Sequence, residues 1–519
     1  IDMMCFLTII LVVSFVILYI CSVRNHNYWR NKNVTYIKSA PFWISDLYRI
    51  FKMPTATESA TAIYRKYPNE KFVGFFIGRT PVLLVNDPEI FKHIFVLDFE
   101  HFHERTVEAD KDDPMFINLF HASGDNWKLL RHRLTSAFTI HKLQKMYPHV
   151  LTCAERLQTL GNKIVNRGGI VSAYEMMARF TMEFICNCGL GIDLKIIMDE
   201  NSNFFKVTSL TFKRTTWQNF VILLGMVLPL PKQMRGSYFM NPRTKEILKD
   251  IVIKVCENRN YKPSDRHDFV DLLLGLAAMG KIKGESTELK NTDGTAAEVE
   301  LDLSDPVLIA AQAYIFFVAG YETSALSTSV TLHLLAYNPE IQRKIQQEID
   351  EVLSKYNKKL CYDAVAEMTL LEMAFFEAMR LFPAAGLLNR TCRKKYTFPG
   401  TNLTIDPGVL IVVPAAAIHT DERYFPDPIE FRPERFTPEA AKERHKNVYM
   451  PFGQGKRMCI GSRLGQMQSM AGLAALLQRF SVEPAPQSRR EMKVDRSCRV
   501  VQGIEGGLPV KLIPRDRYL

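Results

Sequence analysis

The chain has 519 residues, 47% hydrophobic and 23% charged, a globular balance that excludes disordered and fibrous classes. Lys and Arg number 66 against 55 Asp and Glu, a net charge of +11. The basic residues are spread along the chain rather than gathered in a block, which disfavours a nucleic-acid reader. The ten cysteines are scattered without a CxxC pair, which points away from a disulfide scaffold and toward a reducing compartment.

From Met3 to Cys21 the chain is uncharged and apolar, just long enough to cross a hydrocarbon core as a helix. A secretory leader has a shorter apolar core and an Ala-x-Ala-like exit, and Ile20-Cys21-Ser22 offers none. Asp2 precedes the run while Arg24, Arg30 and Lys32 follow it, so the positive-inside bias places the body in the cytosol. The expected layout is a membrane anchor over 1–21, a fairly flexible polar linker over 22–40 and one large body over 41–519.

Within the body, Phe72–Ile77 and Val82–Val85 have the composition of a small β-hairpin. From Pro88 onward the periodicity is mostly helical. Trp217–Leu230 is uncharged and too short to span a bilayer; it suits either core or an interfacial patch. Gly280–Ser304 is polar, with Gly284, Asn291, Asp293 and Gly294, and is expected as a surface loop. Val307–Ala336 is expected as a long helix capped by Ser304, with Pro306 in its first turn. Its one charged side chain is Glu322, and the hydroxyls from Thr323 to Thr331 favour a protein core over a lipid-facing span. A carboxylate alone in an apolar helix is costly, so Glu322 marks a functional candidate. Pro339–Leu353 carries Ile341, Ile345, Ile349 and Val352 as one apolar stripe, the pattern of an ordinary surface helix.

Three further sets of residues carry chemistry. Trp127 and Arg131 stand one helical turn apart. Glu377 and Arg380, at i and i+3, share a helix face inside the apolar segment Leu370–Phe382, so they must pair. Pro451–Gly461 surrounds Cys459 with glycines, ahead of the helix-competent stretch Leu464–Phe480. A helix mouth stabilises a thiolate through its dipole and free N–H groups, and Arg457 adds a nearby cation. A structural cysteine beside a Gly-rich turn is the other reading these residues allow.

Phe452-x-x-Gly455-x-Arg457-x-Cys459-x-Gly461 resembles the haem-binding signature of the cytochrome P-450 monooxygenases. It is this resemblance that makes Cys459 the axial ligand of a haem iron, as a thiolate that favours O–O cleavage. Three more segments resemble the family, in order. Trp127-Lys128-Leu129-Leu130-Arg131 is similar to the WxxxR helix that holds a haem propionate, with Arg105 and Arg390 as further candidates. Ala319-Gly320-Tyr321-Glu322-Thr323-Ser324 resembles the oxygen-activation motif, in which Gly320 would leave room for O2 and Glu322 and Thr323 would relay protons. Glu377-Ala378-Met379-Arg380, with Arg435, resembles the family's structural ExxR triad.

The resemblance implies a mainly α fold with a small β region and a single large domain holding haem b. It implies O2, and electrons from NADPH through a separate flavoprotein reductase, with room for a b-type cytochrome as an additional donor. It extends to the anchor of microsomal members, hence an endoplasmic reticulum membrane, and to an insect clan that handles xenobiotics, so the expected substrate is a plant toxin or insecticide, or else an endogenous lipid or hormone. Phe116, Leu119, Phe120 and Phe316 are expected around a small lipophilic substrate, together with Ala319, Leu387, Leu388 and Ile504. Ala385 and Gly386 would make that pocket roomier, and Lys456 with Arg457 would form a basic face for an acidic partner. The chain departs from the family in lacking a proline cluster after the anchor, in lacking a second proline after Pro383, and in carrying Lys456 where many relatives have proline. Two rivals are a reductase-independent haem-thiolate isomerase or dehydratase acting on peroxides, and a non-catalytic haem carrier. Relatives of the first tend to lose the acid–Thr pair, which is intact here.

Overall fold

The computed structural model describes residues 27–37, 54–77, 80–105, 113–211, 213, 241–498 and 500–515. The anchor expected over 1–21 and the stretch Trp217–Leu230 lie outside them. The linker expected over 22–40 is described only over 27–37, and that part is docked rather than free. Trp29 is fully buried, its indole N–H donating to the Phe75 carbonyl at 3.0 Å. The indole fills the space over Gly74, where a side chain would come within 2.4 Å of it. Burying one large aromatic side chain outweighs the freedom that the polar composition of the segment suggested.

Strands β1 (Phe72–Ile77) and β2 (Thr80–Val85) form the expected antiparallel hairpin. Helix α1 (Ala56–Lys66) precedes them and opens with a capping box between Thr55 and Glu58. The sheet is completed by β3 (Leu388–Thr391) and β4 (Leu410–Val413) in the order β1-β2-β4-β3, with β4 parallel to β2. Every residue of β4 is buried, as a central strand covered on both faces requires.

The larger core is helical. It includes α2 (Gly124–Leu134), α3 (Ala173–Ile185), α4 (Phe269–Ala278) and α5 (Pro306–Ala336). The chain then forms α6 (Pro339–Lys355), α7 (Thr369–Leu381) and α8 (Ser462–Arg479). Helix α5 runs through the centre: Ala310 and Phe317 on one face and Leu326 and Val330 on the opposite face are all fully buried. Its cap is Asp305 rather than Ser304, accepting the Val307 N–H at 2.8 Å, because Ser304 lies one residue too early to reach it. Helix α6 buries Ile345 and Ile349 as expected, and is tied in further by Gln342 and Gln346, which donate to the Val482 and Phe480 carbonyls.

Gly280–Ser304 is not a loop. Ile282–Lys290 pairs antiparallel with Ala296–Leu301, turning through Asn291–Thr295 with Gly294 at φ 84°. The period-two run ending Val299-Glu300-Leu301 and the Asn-Thr-Asp-Gly turn are hairpin signals that polarity concealed. The hairpin lies on α2, where Gly284 meets Leu129 and Lys128 donates to the Glu285 carbonyl at 2.8 Å.

Candidate active site

Cys459 stands between the one-turn helix Gly455–Arg457 and α8. Its N–H donates to the Phe452 carbonyl at 2.8 Å. A side chain on Gly455, which has φ 72°, would fall 1.8 Å from the Phe95 carbonyl oxygen, so only glycine lets the loop pass. The thiol is exposed yet shielded from bulk water by the protein around it, as a side chain facing a cleft is. Burial pushes it up, while the Gly461 N–H and the charges of Arg105 and Arg131 favour the thiolate.

Four guanidiniums gather beside this loop. Arg105 donates to the Arg457 carbonyl at 2.9 Å, Arg131 to the Met458 carbonyl at 2.9 Å, and Arg457 to the Ala122 carbonyl at 2.6 Å. Arg457 lies over Trp127 at 4.5 Å, Arg390 over Phe95 at 4.8 Å and Arg105 over Phe120 at 4.6 Å. Burial, with mutual repulsion, pushes Arg105 down to about 10, Arg390 to about 9 and Arg457 to about 8. Nε of Arg390 and both Nε and Nη1 of Arg457 are buried with no hydrogen-bond partner among the described residues. No ion pair neutralises any of the four among those residues. The cluster therefore fits a bound group carrying carboxylates.

Helix α5 passes nearby, packed on α8. Gln468 of α8 donates to the Gly320 carbonyl at 2.8 Å and to Ser324 Oγ at 2.5 Å. Ile315, Ala319 and Thr323, at i, i+4 and i+8, form its least buried stripe, with Ala319 exposed. Thr323 donates to the Ala319 carbonyl at 2.8 Å. Glu322 is buried and accepts from Tyr174 rather than from Thr323. Gly320 does not open the stripe as expected. Its missing side chain makes room for Ile185 of α3, 2.7 Å from where a Cβ would sit. Phe316 is also turned off the stripe, stacked on Phe269 of α4 at 4.2 Å and packed over Gly189.

The ExxR set is assembled and fully buried at its centre. Arg380 binds both Glu377 oxygens, at 2.6 and 2.8 Å, and Arg435 reaches the same carboxylate at 3.2 Å. Arg380 also donates to the carbonyls of His419 and Pro428, 2.7 Å each, and so ties α7 to the segment that leads into the Cys459 loop.

The Cytochrome P450 family model matches residues 49–508. The chain belongs to the cytochrome P450 family. Cytochrome P450 6B7 of Helicoverpa armigera is 33% identical over 98% of each chain. Cytochrome P450 6B5 of Papilio glaucus is 36% identical over 93% of this chain and all of its own. A probable cytochrome P450 6a18 of Drosophila melanogaster is 31% identical over 94% of this chain and 95% of its own. The chain is thus a cytochrome P450 monooxygenase, and the family implies a haem cofactor.

In this cytochrome P450 the other expected substrate residues are packed against differing neighbours. Phe116 is buried edge-on to His121, and Phe120 lies under Arg105. Leu119 is held to α5 by its N–H on Gln312, while Leu387, Leu388 and Ile504 are half-buried. Gly386 does not widen a pocket, because Thr57 of α1 occupies its side-chain space. Arg457 is 3% exposed and cannot belong to a docking face, which leaves Lys456 exposed there. Sequence reading overlooked Gln312, Gln468 and Tyr174. The two glutamines are amides inside apolar helices, and burial there demands partners.

Proposed function

We propose that this monooxygenase inserts one oxygen atom of O2 into a lipophilic foreign compound at the endoplasmic reticulum membrane. Electrons come from NADPH through a separate flavoprotein reductase. Haem, held by the Cys459 thiolate, supplies the oxygen chemistry when bound. The observation that carries this reading is the pair of buried guanidiniums, Arg390 and Arg457, with nitrogens that find no partner among the described residues, beside an accessible cysteine. Arg105, Arg131, Arg390 and Arg457, with Trp127, hold the propionates, and Phe452 fixes the loop through its carbonyl. Ile315, Ala319 and Leu388 offer apolar surface that orients a lipophilic substrate and excludes water. Thr323 places a hydroxyl on the same stripe, and Glu322 stores a proton behind it. Glu377, Arg380 and Arg435 lock the segment that carries the loop. The foreign-compound assignment rests on the insect relatives and on the resemblance to their clan.

The test is the reduced, carbon-monoxide-bound difference spectrum of the membrane-expressed full chain. A thiolate-type Soret band is expected, and Cys459→Ala should abolish it. A spectrum unchanged by that substitution would overturn the ligand assignment. With the band in hand, product that forms from lipophilic compounds only with NADPH and reductase supports the proposal. Product from a fatty-acid hydroperoxide without NADPH would instead favour the isomerase.

A further inference from the structure

Glu322 is the only carboxylate on α5 and is 5% exposed. Its Oε1 accepts the Tyr174 hydroxyl at 2.5 Å, while Oε2 has no partner among the described residues. Tyr174 is the second residue of α3 and is half-buried, with its hydroxyl turned inward to the Glu322 carboxyl. The other groups facing the pair are the Tyr321 hydroxyl, Lys213 and the Cys498 thiol. Tyr321 is committed elsewhere, donating to the Thr208 carbonyl at 2.8 Å. Lys213 is drawn toward Asp495, 4.0 Å away. Burial raises Glu322, with the two tyrosine hydroxyls and Lys213 opposing, so the carboxyl is disposed to hold a proton.

We propose that Tyr174 positions Glu322 and is the point through which its proton is replaced from solvent. The proposal rests on the relay role given to Glu322 above. When Glu322 releases its proton toward the reaction, the phenol proton passes to Oε1 in the same step in which the phenol oxygen takes up a new proton, so no phenolate forms. That new proton comes from hydronium at the surface, so no charge remains on Tyr174.

The test uses the full-length, haem-loaded protein and the variants Tyr174→Phe, Glu322→Gln and the double variant. The infrared C=O band of the Glu322 carboxyl, identified by its loss in Glu322→Gln, should move to higher wavenumber in Tyr174→Phe as its hydrogen bond is lost. Product turnover should fall about tenfold or more in Tyr174→Phe, within the range of a positioned proton-transfer group. The reduced carbon-monoxide spectrum should stay unchanged, and Tyr174→Phe should add nothing on top of Glu322→Gln. An unmoved infrared band, or full turnover in Tyr174→Phe while Glu322→Gln is crippled, overturns the role of Tyr174. Full turnover in Glu322→Gln overturns the underlying relay reading instead.

Discussion

Glu377 holds two guanidiniums where water reaches neither the carboxylate nor Arg380. Removing one partner of such a set leaves the others charged, buried and uncompensated, which costs about 3–5 kcal/mol. Glu377→Gln keeps the shape and removes the charge, so a loss of that size in denaturant unfolding is expected. A loss below 1 kcal/mol, as for an exposed pair, would show that the set is hydrated. The pairing of Glu377 with Arg380 was legible because i and i+3 share a helix face within an apolar segment. The carbonyls of His419 and Pro428 that complete the Arg380 shell were not, because backbone acceptors carry no residue signature. The same holds for the arginines near Cys459. Arg131 announced itself by its spacing from Trp127, but the burial of Arg457 is visible only in the folded loop.

Gly320 shows how an element-level contact can hide behind a motif. Two effects compete when it becomes alanine. Helix propensity favours alanine by about 1 kcal/mol. The clash with Ile185, 2.7 Å from the new Cβ, costs about 1–3 kcal/mol if the helices cannot part. Gly320→Ala should therefore destabilise the protein, and the double variant Gly320→Ala with Ile185→Ala should show favourable coupling in a double-mutant cycle. A Gly320→Ala protein more stable than the parent would mean that the glycine serves something other than helix contact. The hydrophobic pattern revealed α5 as a core helix but not which neighbour faces which residue, since nearly every face is buried. The hairpin at 282–301 was missed for the opposite reason. Its charged strands bury little beyond Ile282 and Leu301, so composition read as loop while the alternation and turn carried the signal.

At the scale of the whole molecule, the sheet-side core and the helical core meet around His419. Its ring Nε2 accepts the Met450 N–H at 3.0 Å, its carbonyl accepts from Arg380, and its side chain is fully buried. No local pattern could reveal this junction, which joins residues far apart in the chain. It has a consequence for acid stability. Burial, with Arg380 and Arg444 nearby, pushes His419 down from 6.5 to about 3. The unfolded chain therefore binds a proton near pH 6.5 that the folded protein refuses until about pH 3. Below pH 6.5 the unfolded state gains, and this histidine weakens folding by about tenfold in the equilibrium constant per pH unit until its folded value is reached. Other groups add their own slopes, so the comparison needs a neutral substitute. His419→Gln keeps an acceptor for the Met450 N–H and cannot protonate. It should be less stable than the parent at pH 7.5, from imperfect packing, and the gap should narrow as the pH falls from 6.5 to 5. Equilibrium unfolding in urea at those pH values measures the gap, and a constant difference across the range would show that His419 does not titrate on unfolding.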